Sequence, residues 1–321
     1  MITVVHIDGL TGINYHRIVS PFSRLVEMGL EGVCFIKKLE ELKSMDLDKV
    51  DNLVVSRKLS VTDHNAFKKM LSEHNIKLIL DNDDYWDLNK DNPHWQIYEV
   101  YYGPDIEATI KIADIIWTPS KYLAKKMKEL NPKAVVDFVN NGIRDDEAQW
   151  VNQKKKNNSK VSYGYLGAAA HTNDVKIIGY RFWNKNLFCI QDLGYKEILK
   201  ANRTLKPKSI FHYGSYYKKI DVSLAPLEEN IFNLCKSDLK VTEAAVTKTA
   251  IIASNIDIYN GSIVNGETGI LCSNKEEWKD AIESMTKEKA KNMGLNLHES
   301  LKNDPNHNLD LINNIRLKYL L

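Results

Sequence analysis

Ile220-Asp-Val-Ser-Leu-Ala-Pro-Leu-Glu-Glu-Asn-Ile-Phe-Asn-Leu-Cys-Lys-Ser-Asp-Leu-Lys-Val-Thr-Glu-Ala-Ala-Val-Thr-Lys-Thr-Ala-Ile-Ile-Ala-Ser254 reads as strand, loop, helix, strand. Short apolar runs at Val222–Ala225 and Ala250–Ser254 flank a helical pattern over Lys236–Val246. The loop delivers Asn233, Lys236 and Ser237 to the helix start. Free N–H groups and positive dipole character at such a start suit a diphosphate. Lys236, with Lys240 a turn further on, adds positive charge where a leaving diphosphate becomes more negative. Glu243 lies two turns into the helix, where its carboxylate can accept hydrogen bonds from two ribose hydroxyls.

The same alternation extends in both directions. Strands are expected at Ile2–Ile7, Gly32–Ile36, Asn52–Val55, Ile76–Leu80, Ile115–Thr118 and Val135–Val139, with helices such as Asp63–His74 and Lys121–Leu130 between them. A polar stretch, Asn152–Lys160, interrupts the pattern and reads as a linker. Beyond it, strands are expected at Val161–Leu166, Leu187–Ile190, Ser209–His212 and Thr268–Cys272, besides the two already quoted, and a last helix at Leu309–Leu320. Short strands alternating with amphipathic helices imply parallel sheets covered on both faces. The expected fold is therefore α/β, with an N-terminal Rossmann-like domain over residues 1–150, a linker over 151–160 and a C-terminal Rossmann-like domain over 161–321, facing a cleft. Ligands of such sheets bind outside the carboxyl ends of the strands.

Three more strand-end segments carry chemistry. Tyr163-Gly-Tyr-Leu-Gly-Ala-Ala-Ala-His-Thr-Asn-Asp174 ends in a small-residue turn, where Gly167 permits close approach and His171 stands one turn before Asp174. His6-Ile-Asp-Gly-Leu-Thr-Gly-Ile-Asn-Tyr-His-Arg17 places Gly12 in a loosened turn and Arg17 at a helix start, positioned for an anion. Leu80-Asp-Asn-Asp-Asp-Tyr-Trp-Asp87 crowds acids at one strand end, and crowding raises carboxylate pKa values in a way that suits a general base. Asp81, Asp83 and Asp84 are the candidates. The aromatic stretch that follows, with Trp95, Tyr98 and Tyr101, offers rings on which sugars or bases stack.

Several of these segments carry a resemblance in the same order. Glu243-Ala-Ala-Val-Thr-Lys-Thr-Ala-Ile-Ile-Ala-Ser254 resembles the "E-A-M-A-x-G-x-P-V-V-A-S" signature of retaining GT-B glycosyltransferases. Ala225-Pro-Leu, Phe232-Asn and Lys236-Ser-Asp-Leu-Lys240 look like the "A-P-L…F-N…K-S-N-L-K…E" variant of that superfamily, and Asn265-Gly-Glu-Thr-Gly-Ile-Leu271 resembles its "x-G-x-T-G-x-L" turn. Val139-Asn-Asn-Gly-Ile143 is similar to "P-N-G-V-D", and Ala113–Ser120 to "A-D-x-V-x-x-x-S". One departure stands out: Cys235 occupies the position of the first Glu of the family's E-x7-E motif.

The resemblance implies transfer of a sugar from a nucleotide sugar to a hydroxyl, with Glu243 as ribose ligand and His171 beside the sugar. A UDP-sugar is the default donor. No cofactor and no metal are expected, since cationic side chains and a helix start stand in for the metal in GT-B enzymes. A non-catalytic nucleotide-sugar or glycan-binding module of the same fold is the alternative. The opening "H-I-x-G-L-T-G-x-x-Y-x-R" and "D-x-D-D-Y-W" look like bacteriophage glycosyltransferases, which makes DNA bearing hydroxymethylated pyrimidines a candidate acceptor beside an envelope glycan. Lys121, Lys125, Lys126, Lys128 and Lys154–Lys156 would then contact phosphates.

The bulk composition is compatible with this. The chain has 321 residues, 43% apolar, and 44 Lys and Arg against 42 Asp and Glu, so a polyanion would need a local basic patch. Cys34, Cys189, Cys235 and Cys272 lack metal-site spacing and are expected to be reduced and buried. Met1–Ile7 reads as a strand rather than a signal peptide, no run has the length of a membrane span, and the cytoplasm is the expected compartment.

Overall fold

A computed structural model describes the chain except residues 89, 91, 93, 152–154, 156–158, 168–170 and 191–194. It divides into two compact units: Met1–Gly142 with Cys235–Ser237 and Leu309–Leu321, and Ile143–Leu234 with Asp238–Asn308.

The first unit is built on β1 (Ile2–His6), β2 (Val33–Ile36), β3 (Val50–Ser56), β4 (Lys77–Asp81), β5 (Ile115–Thr118) and β6 (Val135–Phe138), in the order β2-β1-β3-β4-β5-β6. Every pairing is parallel. Its helices include α1 (Ser20–Glu27), α2 (His64–Glu73), α3 (Gly103–Ile112) and α4 (Lys121–Leu130). Asp63 and Ser120 cap α2 and α4 by accepting from the Ala66 and Leu123 amides.

The second unit repeats the scheme with β7 (Ser162–Tyr165), β8 (Asn186–Ile190), β9 (Arg203–Leu205), β10 (Val222–Ala225), β11 (Ala250–Ser254) and β12 (Ile270–Cys272), ordered β12-β11-β10-β7-β8-β9 and again parallel. Its main helices are α5 (Leu239–Val246), α6 (Lys275–Glu283) and α7 (Lys287–Leu301). Successive strand residues serve opposite cores: Ile252 joins Val222, Leu187 and Trp278, whereas Ile251 joins Val241, Ala244 and Leu297. The strand order reverses between β1 and β3 in one sheet and between β7 and β10 in the other, and open α/β sheets bind ligands at such points.

The structure departs from the expected elements in four places. Ser209–His212 is not a strand. Ser209 caps a 3-10 helix, Ile210–Lys219, that buries Tyr216 and Tyr217, and the edge strand is the short, polar β9. The helix expected from Lys236 begins at Leu239, because the Asp238 carbonyl takes the first helical bonds, from Val241 N at 2.7 Å and Thr242 N at 3.3 Å.

The third departure is α8 (Leu309–Leu320), which packs in the first unit rather than the C-terminal domain. Its Ile312 and Leu320 enter the core of Val5, Phe22, Ile79 and Trp117, and Asp310 pairs with Arg24 at 2.6 Å. The first unit also ends at Gly142, where a Cβ would lie 2.7 Å from the Leu309 Cα, so only glycine fits there. Of the expected linker, 152–154 and 156–158 lie outside the described residues, and Lys155 is half-buried with its Nζ 3.0 Å from the Thr249 hydroxyl. Fourth, three of the four free cysteines are buried, but Cys34 is partly exposed on an edge strand.

Candidate active site

In the first unit the acids after β4 fall into two groups. Asp81, the last residue of β4, has no exposed side-chain surface. Arg17 Nε donates to its Oδ1 at 2.5 Å, and Arg316 of α8 lies 3.8 Å from its Oδ2. Arg17 Nη1 also donates to the Val139 carbonyl at 2.7 Å and to Asn141 Oδ1 at 3.1 Å. Neither Asp81 nor Arg17 therefore presents an atom to a ligand. The proposed base and the proposed anion contact have found each other, and their part is to hold the strand ends together. Burial and the neighbouring Arg17 pull the Arg316 guanidinium down to about 9, with Asp81 opposing.

Asp83 and Asp84 are reachable, at 13% and 24% side-chain exposure. Both meet Arg57, which the sequence reading missed. Its Nε lies 3.4 Å from Asp83 Oδ1, its Nη2 bonds Asp84 Oδ2, and its Nη1 donates to the Tyr98 hydroxyl at 3.2 Å. Arg57 follows β3 directly with φ 63°, a left-handed conformation that costs a non-glycine residue energy and that is often found at functional sites. Burial raises the Asp83 carboxyl, Arg57 opposes, and the charge of Asp84 adds to the rise, leaving it above its ordinary value.

Lys236 and Ser237 belong to this unit. Lys236 donates to Asp84 Oδ1 at 3.1 Å, and Ser237 Oγ accepts from Asn141 Nδ2 at 2.7 Å. Neither sits in a helical turn; both precede the Asp238 cap of α5. Burial pushes the Cys235 thiol, at the position of the family's first Glu, up to about 12.

Of the aromatic residues, Tyr98 is tied to the carboxylates through Arg57 and lies edge-on to Tyr102 at 5.4 Å between ring centroids. Tyr101 is 68% exposed. Lys90 Nζ stands 5.5 Å from the centre of the Trp95 ring. Gly12, after the Thr11 cap, opens the short turn Gly12–Asn14 and is exposed.

In the second unit the buried Asp174 is the hub. Its Oδ2 lies 2.7 Å from His171 Nδ1, and its Oδ1 accepts from the Glu228 amide at 2.8 Å and from Asn233 Nδ2 at 2.7 Å. His171 follows β7 and Glu228 follows β10, so this one carboxylate joins the loops at the point where the strand order reverses. Asn233, at 1% exposure, braces the loop from within. Gly167 has a local reason to be glycine, since a Cβ there would come 2.3 Å from the Tyr165 hydroxyl. Residues 168–170 of this turn lie outside the described residues.

Glu243 is 2% exposed. Its Oε2 accepts from Lys240 Nζ and from the Tyr217 hydroxyl, both at 2.7 Å. Lys240 also donates to the Tyr213 hydroxyl at 2.6 Å, which in turn donates to the Leu166 carbonyl at 3.0 Å. Burial works against the Lys240 charge, but Glu243 and Tyr213 outweigh it and the ammonium is held above its ordinary value.

The expected lysine track on α4 is partly consumed: Lys128 donates to the Ala134 carbonyl at 2.7 Å and Lys126 pairs with Glu129 at 3.4 Å. Lys154 and Lys156 lie outside the described residues. Among the described residues, no group of three or more His, Cys, Asp or Glu is arranged to hold a metal ion, and no helix is long and apolar enough to cross a membrane.

No family model and no curated protein matches the chain. Solved structures do. Sucrose-phosphate synthase from Thermosynechococcus elongatus is similar with a TM-score of 0.68 at 11% identity, over 99% of this chain and 98% of that one. HepE from Anabaena, solved with UDP and glucose, gives 0.64 at 10% over 100% and 99%. A glycosyltransferase from Rickettsia africae gives 0.62 at 13% over 99% and 97%. The two six-stranded parallel sheets are those of the GT-B glycosyltransferase fold.

Proposed function

We propose that this protein transfers a sugar from a nucleotide sugar, a UDP-sugar by default, to a hydroxyl group of an acceptor. The observation that carries the reading is the reversal point of the second sheet, where Asp174 holds His171 and the Glu228–Asn233 loop together. Glu243 serves the ribose through Oε1, the oxygen that the Lys240 and Tyr217 bonds do not use. Similarity to HepE, which was solved with UDP-glucose, supports the donor class. The Glu243–Ser254 signature favours retention of configuration. Asp83 is the base that orients or deprotonates the acceptor hydroxyl, with its carboxyl held above its ordinary value by burial and by the charge of Asp84. No metal is required in this reading, because Arg57 and Lys236 already engage the exposed carboxylates.

For the acceptor, the exposed Tyr101, three residues after Tyr98, suits the face of a sugar ring, which favours a glycan. Hydroxymethylated DNA would need phosphate contacts, and two α4 lysines are already engaged.

The test is a panel of nucleoside diphosphates and nucleotide sugars, read by calorimetry and by label transfer to glycans and to hydroxymethylated DNA. UDP should bind, and Glu243→Ala should weaken it by about 1–3 kcal/mol. Binding without turnover of any nucleotide sugar would leave a binding module instead. Label on DNA alone would reverse the acceptor assignment.

A further inference from the structure

His307 lies in the turn between α7 and α8 and is 6% exposed. Its Nδ1 is 2.8 Å from Asp304 Oδ1 and its Nε2 is 2.7 Å from Asp238 Oδ2. A neutral imidazole has one N–H and can donate to one of these carboxylates; the other ring nitrogen would then face oxygen with its lone pair. The imidazolium donates to both. The turn is held independently, since the Asn308 and His307 amides donate to the Asp304 carbonyl at 2.9 and 3.1 Å. At the other end, Asp238 also accepts from the Ser262 hydroxyl and is the N-cap residue of α5, the helix that carries Lys240 and Glu243.

We infer that His307 is a positioning residue, kept as an imidazolium between Asp304 and Asp238, that fixes the start of α5 and with it the Lys240–Glu243 pair. The consequence for nucleotide binding rests on the donor reading above; the charge state and the hold on α5 do not. Burial alone lowers the imidazole, but Asp238 and Asp304 outweigh it and leave His307 above its ordinary value. The other titratable groups around the same small cavity are Asp145, His298 and Lys302. His298 Nδ1 donates to the Ala245 carbonyl at 3.1 Å, and burial keeps its imidazole below its ordinary value. Because the folded value of His307 lies above the unfolded one, the clamp is fully present below about pH 6.5 and is lost as pH rises through the folded value.

Three measurements on the full chain test this. With 15N-labelled histidine, long-range proton–nitrogen spectra should show both His307 nitrogens protonated at pH 6.5, the signal being assigned by its absence in His307→Gln. Amide protection factors over Val241–Glu243 should fall between pH 6.5 and 9 in the wild type. They should stay level in His307→Gln, which keeps an N–H donor for Asp238 and does not titrate. UDP affinity should weaken about fivefold over the same range in the wild type only. Neutral-imidazole shifts at pH 6.5, or the same loss of protection in His307→Gln, would overturn the inference. If protection follows His307 while no nucleoside diphosphate binds at any pH, the clamp stands and the donor reading falls.

Discussion

The acids after β4 and the acid on α5 are both held by cations, yet the two settings distribute charge differently. In the first unit Asp81, Asp83 and Asp84 face Arg17, Arg316, Arg57 and Lys236. In the second, Glu243 has one ammonium, from Lys240, and the Tyr217 hydroxyl, with Tyr213 on the far side of that ammonium. Removing one cation from the first setting leaves like charges side by side. The second is neutral as a pair and can take a further neutral hydroxyl without changing its charge. The first suits proton movement at an acceptor, the second recognition of a sugar by hydrogen bonds.

If this contrast is right, the largest effect of any single change falls where charge is most deeply buried. Arg17→Ala leaves Asp81 fully buried with Arg316 still 3.8 Å from its Oδ2 and should cost about 3–5 kcal/mol of unfolding free energy in a denaturant titration. A loss below 1 kcal/mol would mean that Arg316 moves in to replace it and that the pair is not what joins β4 to the Val139–Asn141 turn.

The accessible acids should respond in rate. Arg57→Ala should lower kcat by roughly 100-fold at neutral pH, the lower end of what a positioned general acid or base typically contributes. Arg57 holds Asp83 down, so its removal should also carry the acidic limb of the kcat profile to higher pH. Asp83→Asn should erase that limb. An unmoved limb in both variants would remove Asp83 from the chemistry and leave Asp84 as the base.

The same contrast explains which features are legible in the sequence. Short apolar strands buried on both faces announce themselves, and Ile115–Thr118, Val222–Ala225 and Ala250–Ser254 appear with the expected bounds. So do the helices Lys121–Leu130 and Leu309–Leu320, through their apolar periodicity. Edge strand β9 was hidden because its three residues offer one apolar side chain, Leu205, after the exposed Arg203 and Thr204. Residue types at strand ends nominate Asp83, Asp84 and His171, but cannot say that Asp81 and Arg17 neutralise each other across 64 positions. Arg57 and His307 were missed for a related reason: each takes its role from partners brought by folding, Arg57 through Asp83 and Asp84, His307 through Asp238. The one local hint at Arg57 is its place directly after a strand.

The smallest expected effect concerns the surface beside the first setting. Tyr101 is 68% exposed, whereas Tyr98, three residues before it, is fixed by Arg57, so the two rings differ in how firmly they are held. A ring that stacks on an acceptor contributes about 0.5–1.5 kcal/mol. Tyr101→Ala should therefore raise the acceptor KM by about 2–12-fold, while donor KM and thermal stability stay unchanged because the Tyr101 side chain is mostly exposed. Tyr101→Phe should behave like the wild type, since stacking needs the ring and not the hydroxyl. Tyr98→Phe provides the counterpart: it removes the hydroxyl that Arg57 bonds at 3.2 Å and should act on kcat through the carboxylates rather than on acceptor KM. Equal effects of Tyr101→Ala on donor and acceptor KM would take the aromatic surface out of acceptor binding and leave Tyr98 as its only link to the site.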